Sequence, residues 1–208
     1  MKAAIHALKY DLLHPAARGL GRMLAQAIAQ LAGEAPNEML VVPVPLHRAK
    51  HAERGFNQAR ALAEHALGSL RKSHPEWQLT LASSTLMRLR ATESQAGLSS
   101  RARRINVRGA FTVSDPAAVA RKHVLLVDDI FTTGATARAA AQALVRAGAA
   151  SAWVATLARA RRESTGRGNT IVEETNEISG WAGSAPVVAG GQASISSLHR
   201  SSQGQPSF

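Results

Sequence analysis

Hydrophobic residues recur at helical spacing early in the chain: Leu12, Leu13, Ala16, Leu20, Met23, Leu24, Ala27, Ile28 and Leu31 share one face, and Gly33 ends the run. This predicts an amphipathic helix. Met39 to Val44 is a short apolar run ending in Pro-Val-Pro, which predicts a strand feeding a loop. Ala59, Leu62, Ala66 and Leu70 restore the helical period over about 57–70. Short strands are predicted at 79–81, 85–89 and 110–113, with an arginine- and serine-rich loop over 90–107 between the last two. His123 to Val127 is apolar without alternation, as in a strand covered on both faces. A helix over 134–147, closed by Gly148, and an apolar strand over 151–158 follow. Strand, helix, strand at this spacing is a βαβ unit, so the predicted class is α/β with a central parallel sheet flanked by helices.

The periodicity stops near Ser164, and the charge changes with it. Residues 1–162 hold 23 Lys and Arg against 10 Asp and Glu, whereas residues 163–208 hold 2 against 4. The reading is therefore one domain over 1–162 and a tail over 163–208. That tail has too little apolar surface to offset its ordering entropy, and it is expected to be disordered apart from a short piece near 170–172. Hydrophobic residues make up 45% of the chain but aromatics only 4%, which predicts a core of small side chains. There is no cysteine, which excludes a disulfide scaffold or a Cys-based zinc site and fits a reducing, cytoplasmic setting. No apolar leader is visible, and the charge-free stretch 178–199 is too rich in Gly and Ser to cross a bilayer. Among the eight histidines the one His-x-x-x-His spacing, His47 to His51, falls in the stretch read as a loop rather than on a helix face, so no directly held transition metal is expected.

The strongest chemical signal runs from Val124 to Thr136. A buried strand ends in Asp128 and Asp129, a loop of Thr132, Thr133, Gly134 and Ala135 follows, and Thr136 opens a helix. Backbone N–H groups at a helix start bind phosphate, hydroxyls add donors, and Gly134 lets the backbone come close. Adjacent carboxylates beside a phosphate site make sense if the ligand also presents hydroxyls, as a sugar phosphate does. The plainer alternative is an aspartate cap followed by a turn. Neither a Gly-x-x-x-x-Gly-Lys-Ser/Thr loop nor a strand-borne Gly-x-Gly-x-x-Gly is present.

That segment resembles the phosphoribosyl diphosphate (PRPP) loop of type I phosphoribosyltransferases. Lys9-Tyr10, Val42-Pro-Val-Pro-Leu-His47, Glu53-Arg-Gly-Phe-Asn-Gln58, and Gln95, Leu98, Arg101, Arg104 through Asn106-Val107, then Ala110-Phe111, narrow the resemblance to the ComF family of competence-associated proteins. The resemblance implies a type I phosphoribosyltransferase fold with a hairpin-borne flexible loop. It implies that Asp128 and Asp129 hold the ribose hydroxyls as catalytic carboxylates, and that Thr132, Thr133, Gly134, Ala135 and Thr136 cradle the 5′-phosphate. His47, Arg48, Lys50 and Arg54 fall where the family neutralises pyrophosphate, and Arg101 and Arg104 fall in the closing loop. Mg²⁺ would arrive with PRPP, with no metal held directly by the protein. The implied activity is a glycosyltransferase, with a non-catalytic competence or DNA-uptake role as the alternative and single-stranded DNA or competence proteins as its partners. Members of the family usually begin with a four-cysteine, zinc-ribbon-like segment; with no cysteine here, no zinc role is carried over.

Overall fold

The computed structural model describes residues 14–90, 100–131, 133–159 and 187–189. Helix α1 (His14–Ala29) is followed by β1 (Glu38–Pro43), α2 (Arg48–Arg54), α3 (Gln58–Ser73), β2 (Gln78–Leu81) and β3 (Leu86–Arg88). Then come α4 (Ser100–Val107), β4 (Phe111–Val113), α5 (Pro116–Val119), β5 (His123–Phe131), α6 (Ala135–Arg146), β6 (Ser151–Arg159) and β7 (Val187–Ala189).

Five strands form one sheet in the order β2-β1-β5-β6-β7, with every neighbouring pair parallel. The central strand β5 is flanked by β1 and β6, and Val124, Leu125, Leu126 and Val127 are fully buried. The unbroken apolar run in the sequence has this cause: both faces are covered. Leu125 and Val127 pack with Leu24, Ile28, Leu62 and Leu70 from α1 and α3. Val124 and Leu126 pack with Ala140, Ala141 and Leu144 of α6 and with Phe111 of the separate antiparallel pair β3–β4. Gly21 lets α1 approach α3 closely, because a Cβ there would run into the Cβ of His65.

Two stretches read as loop are helical. Residues 48–54 form α2, with the Ala49 N–H donating to His47 Nδ1 at one end and Gly55 left-handed at φ 73° at the other. None of its residues is buried, so it leaves no apolar period to read. Within the loop predicted over 90–107, residues 100–107 form α4, anchored by the buried Val107. The rest of that stretch apart from Arg90, and the side chains of Arg101 and Arg104, lie outside the described residues. Of the stretch read as a tail, the structure describes Val187–Ala189, a strand three residues long that pairs with Val154–Thr156. The piece expected near 170–172 lies outside the described residues. Among the described residues no helix is long and apolar enough to cross a membrane.

Candidate active site at the carboxyl end of the sheet

Strand β5 continues three register pairs beyond its buried centre and carries Asp128 and Asp129 into a half-buried position. Their carboxylates brace the chain as it leaves the sheet. The Asp129 N–H donates to Asp128 Oδ1 at 2.9 Å, and the Ile130 N–H donates to Asp129 Oδ1 at 2.7 Å. Thr156 of β6 is the register partner of Asp128; it is fully buried, and its Oγ1 has no hydrogen-bond partner.

After β5 the chain turns through Gly134, left-handed at φ 69°, and α6 begins without a side-chain cap. A Cβ on Gly134 would lie 2.5 Å from Cζ of Phe131 and 2.9 Å from its Cε2. The turn is thus folded down on that ring, and this is a reason for glycine that the sequence does not reveal. Thr133 Oγ1 is buried without a partner, and Ala135 and Thr136 follow in the first turn of α6. Thr132 lies outside the described residues.

The basic segment leaves the sheet beside the carboxylates. The Val44 N–H donates to the Val127 carbonyl at 2.8 Å, so the stretch from Pro45 onward departs next to Asp128. It returns at once: Asn57 Nδ2 donates to the Val44 carbonyl at 3.1 Å, while Asn57 Oδ1 caps α3 by accepting from the Ala59 N–H at 3.0 Å. His47, Arg48, Lys50 and Arg54 are carried on this closed excursion, with Arg48 exposed and the other three half-buried.

Three further residues belong here that sequence reasoning did not single out. Arg88 at the end of β3 sits with its guanidinium carbon 5.4 Å from the centre of the Phe111 ring. Burial pulls its pKa down from the usual arginine value, and the nearby negative charge of Asp128 opposes that shift. Arg90 donates to the carbonyls of Asn106 at 3.1 Å and Arg108 at 3.0 Å, closing the base of the excursion between β3 and β4. Thr156 is the third. One signal was available for it: a hydroxyl residue inside the apolar run Ala152-Trp-Val-Ala-Thr-Leu-Ala158.

A parallel sheet, an acidic strand end and a small-residue turn into a helix define a class, and the comparisons agree with it. The family model of the phosphoribosyl transferase domain matches residues 14–188, and the chain belongs to that family, with the type I fold that the motifs implied. Within the family it is similar to the DNA utilization protein YhgH of Salmonella typhi, at 37% identity over 160 residues. Similarity to YhgH of Escherichia coli strain K12 is 35% over 157 residues. Competence protein F of Haemophilus influenzae is 32% identical over 125 residues, covering 58% of this chain and 50% of that protein. The chain spans about 65% of the length of the YhgH proteins, which match 74% of it. Among solved structures, the glutamine PRPP amidotransferase from B. subtilis complexed with ADP and GMP is 26% identical, with a TM-score of 0.39, over 68% of this chain and 26% of that one.

Proposed function

We propose that this domain binds PRPP at the carboxyl end of the sheet and transfers its phosphoribosyl group to a nucleophile, with loss of pyrophosphate. The observation that carries the reading is the turn between β5 and α6. A buried Thr133 hydroxyl without a partner stands beside an uncapped helix start, four residues after the second of two half-buried carboxylates. A buried polar group without a partner costs about 1–3 kcal/mol, which a phosphate oxygen would recover. In this reading Thr133, Gly134, Ala135 and Thr136, with Thr132, hold the 5′-phosphate. Asp128 and Asp129 accept from the ribose hydroxyls and offset the positive charge that grows on the ring as pyrophosphate departs. His47, Arg48, Lys50 and Arg54, leaving the sheet beside Asp128, face the pyrophosphate, with Arg101 and Arg104 brought over it from α4.

Mg²⁺ fits this donor set as an ion carried by the ligand. Among the described residues no three His, Cys, Asp or Glu side chains cluster, and one or two carboxylates plus substrate phosphates is a common magnesium environment. Bound there, the ion would neutralise charge on the departing pyrophosphate.

The test is titration calorimetry of the full chain with PRPP and Mg²⁺, followed by a PRPP-consumption screen across amine and nucleobase acceptors. Binding with turnover supports the transferase. Absence of PRPP binding at millimolar concentration refutes it. It would favour the second reading, a non-catalytic role in handling DNA with single-stranded DNA or competence proteins as partners. The names of the YhgH and competence F relatives and the basic character of residues 1–162 are what speak for that reading.

A further inference from the structure

One face of α6 lines two cavities. The first, about 370 Å³, is bordered by Ala135, Arg138, Ala139, Gln142 and Arg146 of the helix, by Val107 at the end of α4 and by Arg108 and Gly109 just beyond it. The second, about 210 Å³, is bordered by Ala143, Arg146 and Ala147 and by Phe111, Thr112, Val113 and Pro116. Residues 135, 138, 139, 142, 143, 146 and 147 fall at helical spacing on one side, and Arg146 borders both cavities. The two cavities therefore adjoin at Arg146 along α6, whose twelve residues span about 18 Å at 1.5 Å per residue.

The two ends differ in chemistry. At one end stand Arg108, Arg138 and Arg146, with no acidic residue in the lining. Among the described residues no carboxylate pairs with any of the three. Arg138 Nε is buried without a hydrogen-bond partner. A buried guanidinium nitrogen left unpaired is unfavourable in the empty protein and is matched by an anion. Small residues, Gly109, Ala135 and Ala139, leave room for one. Arg90 fixes the corner, because it donates to the carbonyl of Arg108. The other end carries the apolar side chains of Phe111, Val113, Pro116, Ala143 and Ala147 beside Thr112 and Arg146.

We infer that the adjoining cavities form a second ligand site that takes a nucleoside phosphate, its phosphate on Arg108 and Arg138 and its base against the Val113–Pro116 end beneath Arg146. Arginine suits both tasks, since the fork grips phosphate and the planar face stacks on a ring. The inference does not rest on PRPP binding. The ligand comes either free or as one unit of a strand, and the chemistry recognised is the same.

The test is calorimetry at low salt on the full chain, with thymidine 5′-monophosphate, a short oligothymidylate and inorganic phosphate as probes. Saturable binding of the monophosphate, tighter than inorganic phosphate, is expected. Arg108→Gln should weaken it by about tenfold, the value of one charged hydrogen bond, and Arg146→Gln should weaken it through the lost stacking on the base. Both residues are exposed, so folding should survive, and circular dichroism checks this. Arg138→Lys keeps the charge at the half-buried position and should weaken binding through the lost fork. Equal affinity per nucleotide for monomer and oligomer marks the free ligand, and much tighter oligomer binding marks a strand; both support the site. Three results overturn it: no monophosphate binding, affinity no better than inorganic phosphate, or binding lost in Thr133→Val and kept in the arginine variants.

Discussion

Replacing Gly134 by alanine isolates how the turn between β5 and α6 is built. Two penalties add. The backbone holds φ at 69°, a left-handed conformation that costs an L-residue about 1–2 kcal/mol. The new Cβ would also lie 2.5 Å from Cζ of Phe131, a side chain only 6% exposed and set in the core beside α6. Relieving such overpacking costs about 1–3 kcal/mol. The expected loss is about 2–5 kcal/mol, which at about 2–4 °C per kcal/mol lowers Tm by about 4–20 °C. Gly109→Ala is the matched control: its φ is 68°, and nothing lies within 4 Å of its Cβ position, so it carries the conformational penalty alone. Thermal unfolding of both variants, followed by circular dichroism, gives the packing penalty as their difference. Phe131→Leu in the Gly134→Ala background should recover part of it, so the double variant should be less destabilised than the two single effects combined. Equal Tm losses for Gly134→Ala and Gly109→Ala would refute the claim that the turn rests on the Phe131 ring.

Thr133→Val should leave Tm unchanged or slightly higher, because it removes a buried hydroxyl without a partner, while weakening PRPP binding by about 10- to 100-fold. Asp129→Asn keeps an oxygen to accept from the Ile130 N–H, so PRPP affinity should fall little while turnover falls steeply; loss of both together would contradict a role in the charged transition state. Arg90→Ala should speed tryptic cleavage within α4 with little change in Tm, since the two carbonyls it ties are at the exposed base of the hairpin excursion. Ending the chain at residue 162 would strip β7 from β6 and should lower Tm, whereas ending it at 190 should not. Lys122 holds the Glu38 carboxyl below its usual value, so this pair contributes stability above about pH 4.5 that fades as pH falls through the lowered value. Glu38→Gln should flatten that part of the Tm–pH curve, modestly, because the pair is exposed.

The sheet was legible because its central strands are buried on both faces and say so in unbroken apolar runs, as in Val124 to Val127. Helices α1, α3 and α6 each bury one stripe, and that stripe repeats in the sequence. Helices α2 and α4 could not be read this way. Nothing in α2 is buried, and α4 offers Val107 as its buried anchor, so end geometry rather than periodicity defines α2. Strand β7 is three residues long, too short to carry an alternation. In the candidate site the local run Asp128 to Thr136 was visible because its residues are contiguous. Arg88 was not, because its relation to Asp128 depends on β3 and β5 sharing one core through tertiary packing.

The two ends of the parallel sheet are finished differently. At the amino end the polar groups are matched: His123 Nδ1 lies 2.8 Å from Ser151 Oγ, Trp153 Nε1 donates to the same Ser151 at 3.0 Å, and Lys122 meets Glu38 at 2.7 Å. At the carboxyl end the described residues leave polar atoms buried and unpartnered: Thr156 Oγ1 beside Asp128, Thr133 Oγ1 in the turn, Arg138 Nε in the first turn of α6, and Gln58 Nε2 at the start of α3. Each omission costs on the order of 1–3 kcal/mol, a large toll against a net stability of about 5–15 kcal/mol. Random imperfection would scatter such atoms over both ends. Among the described residues these four lie at the end where strands of open α/β sheets meet their ligands, the pattern expected of a surface whose hydrogen bonds are completed by something bound.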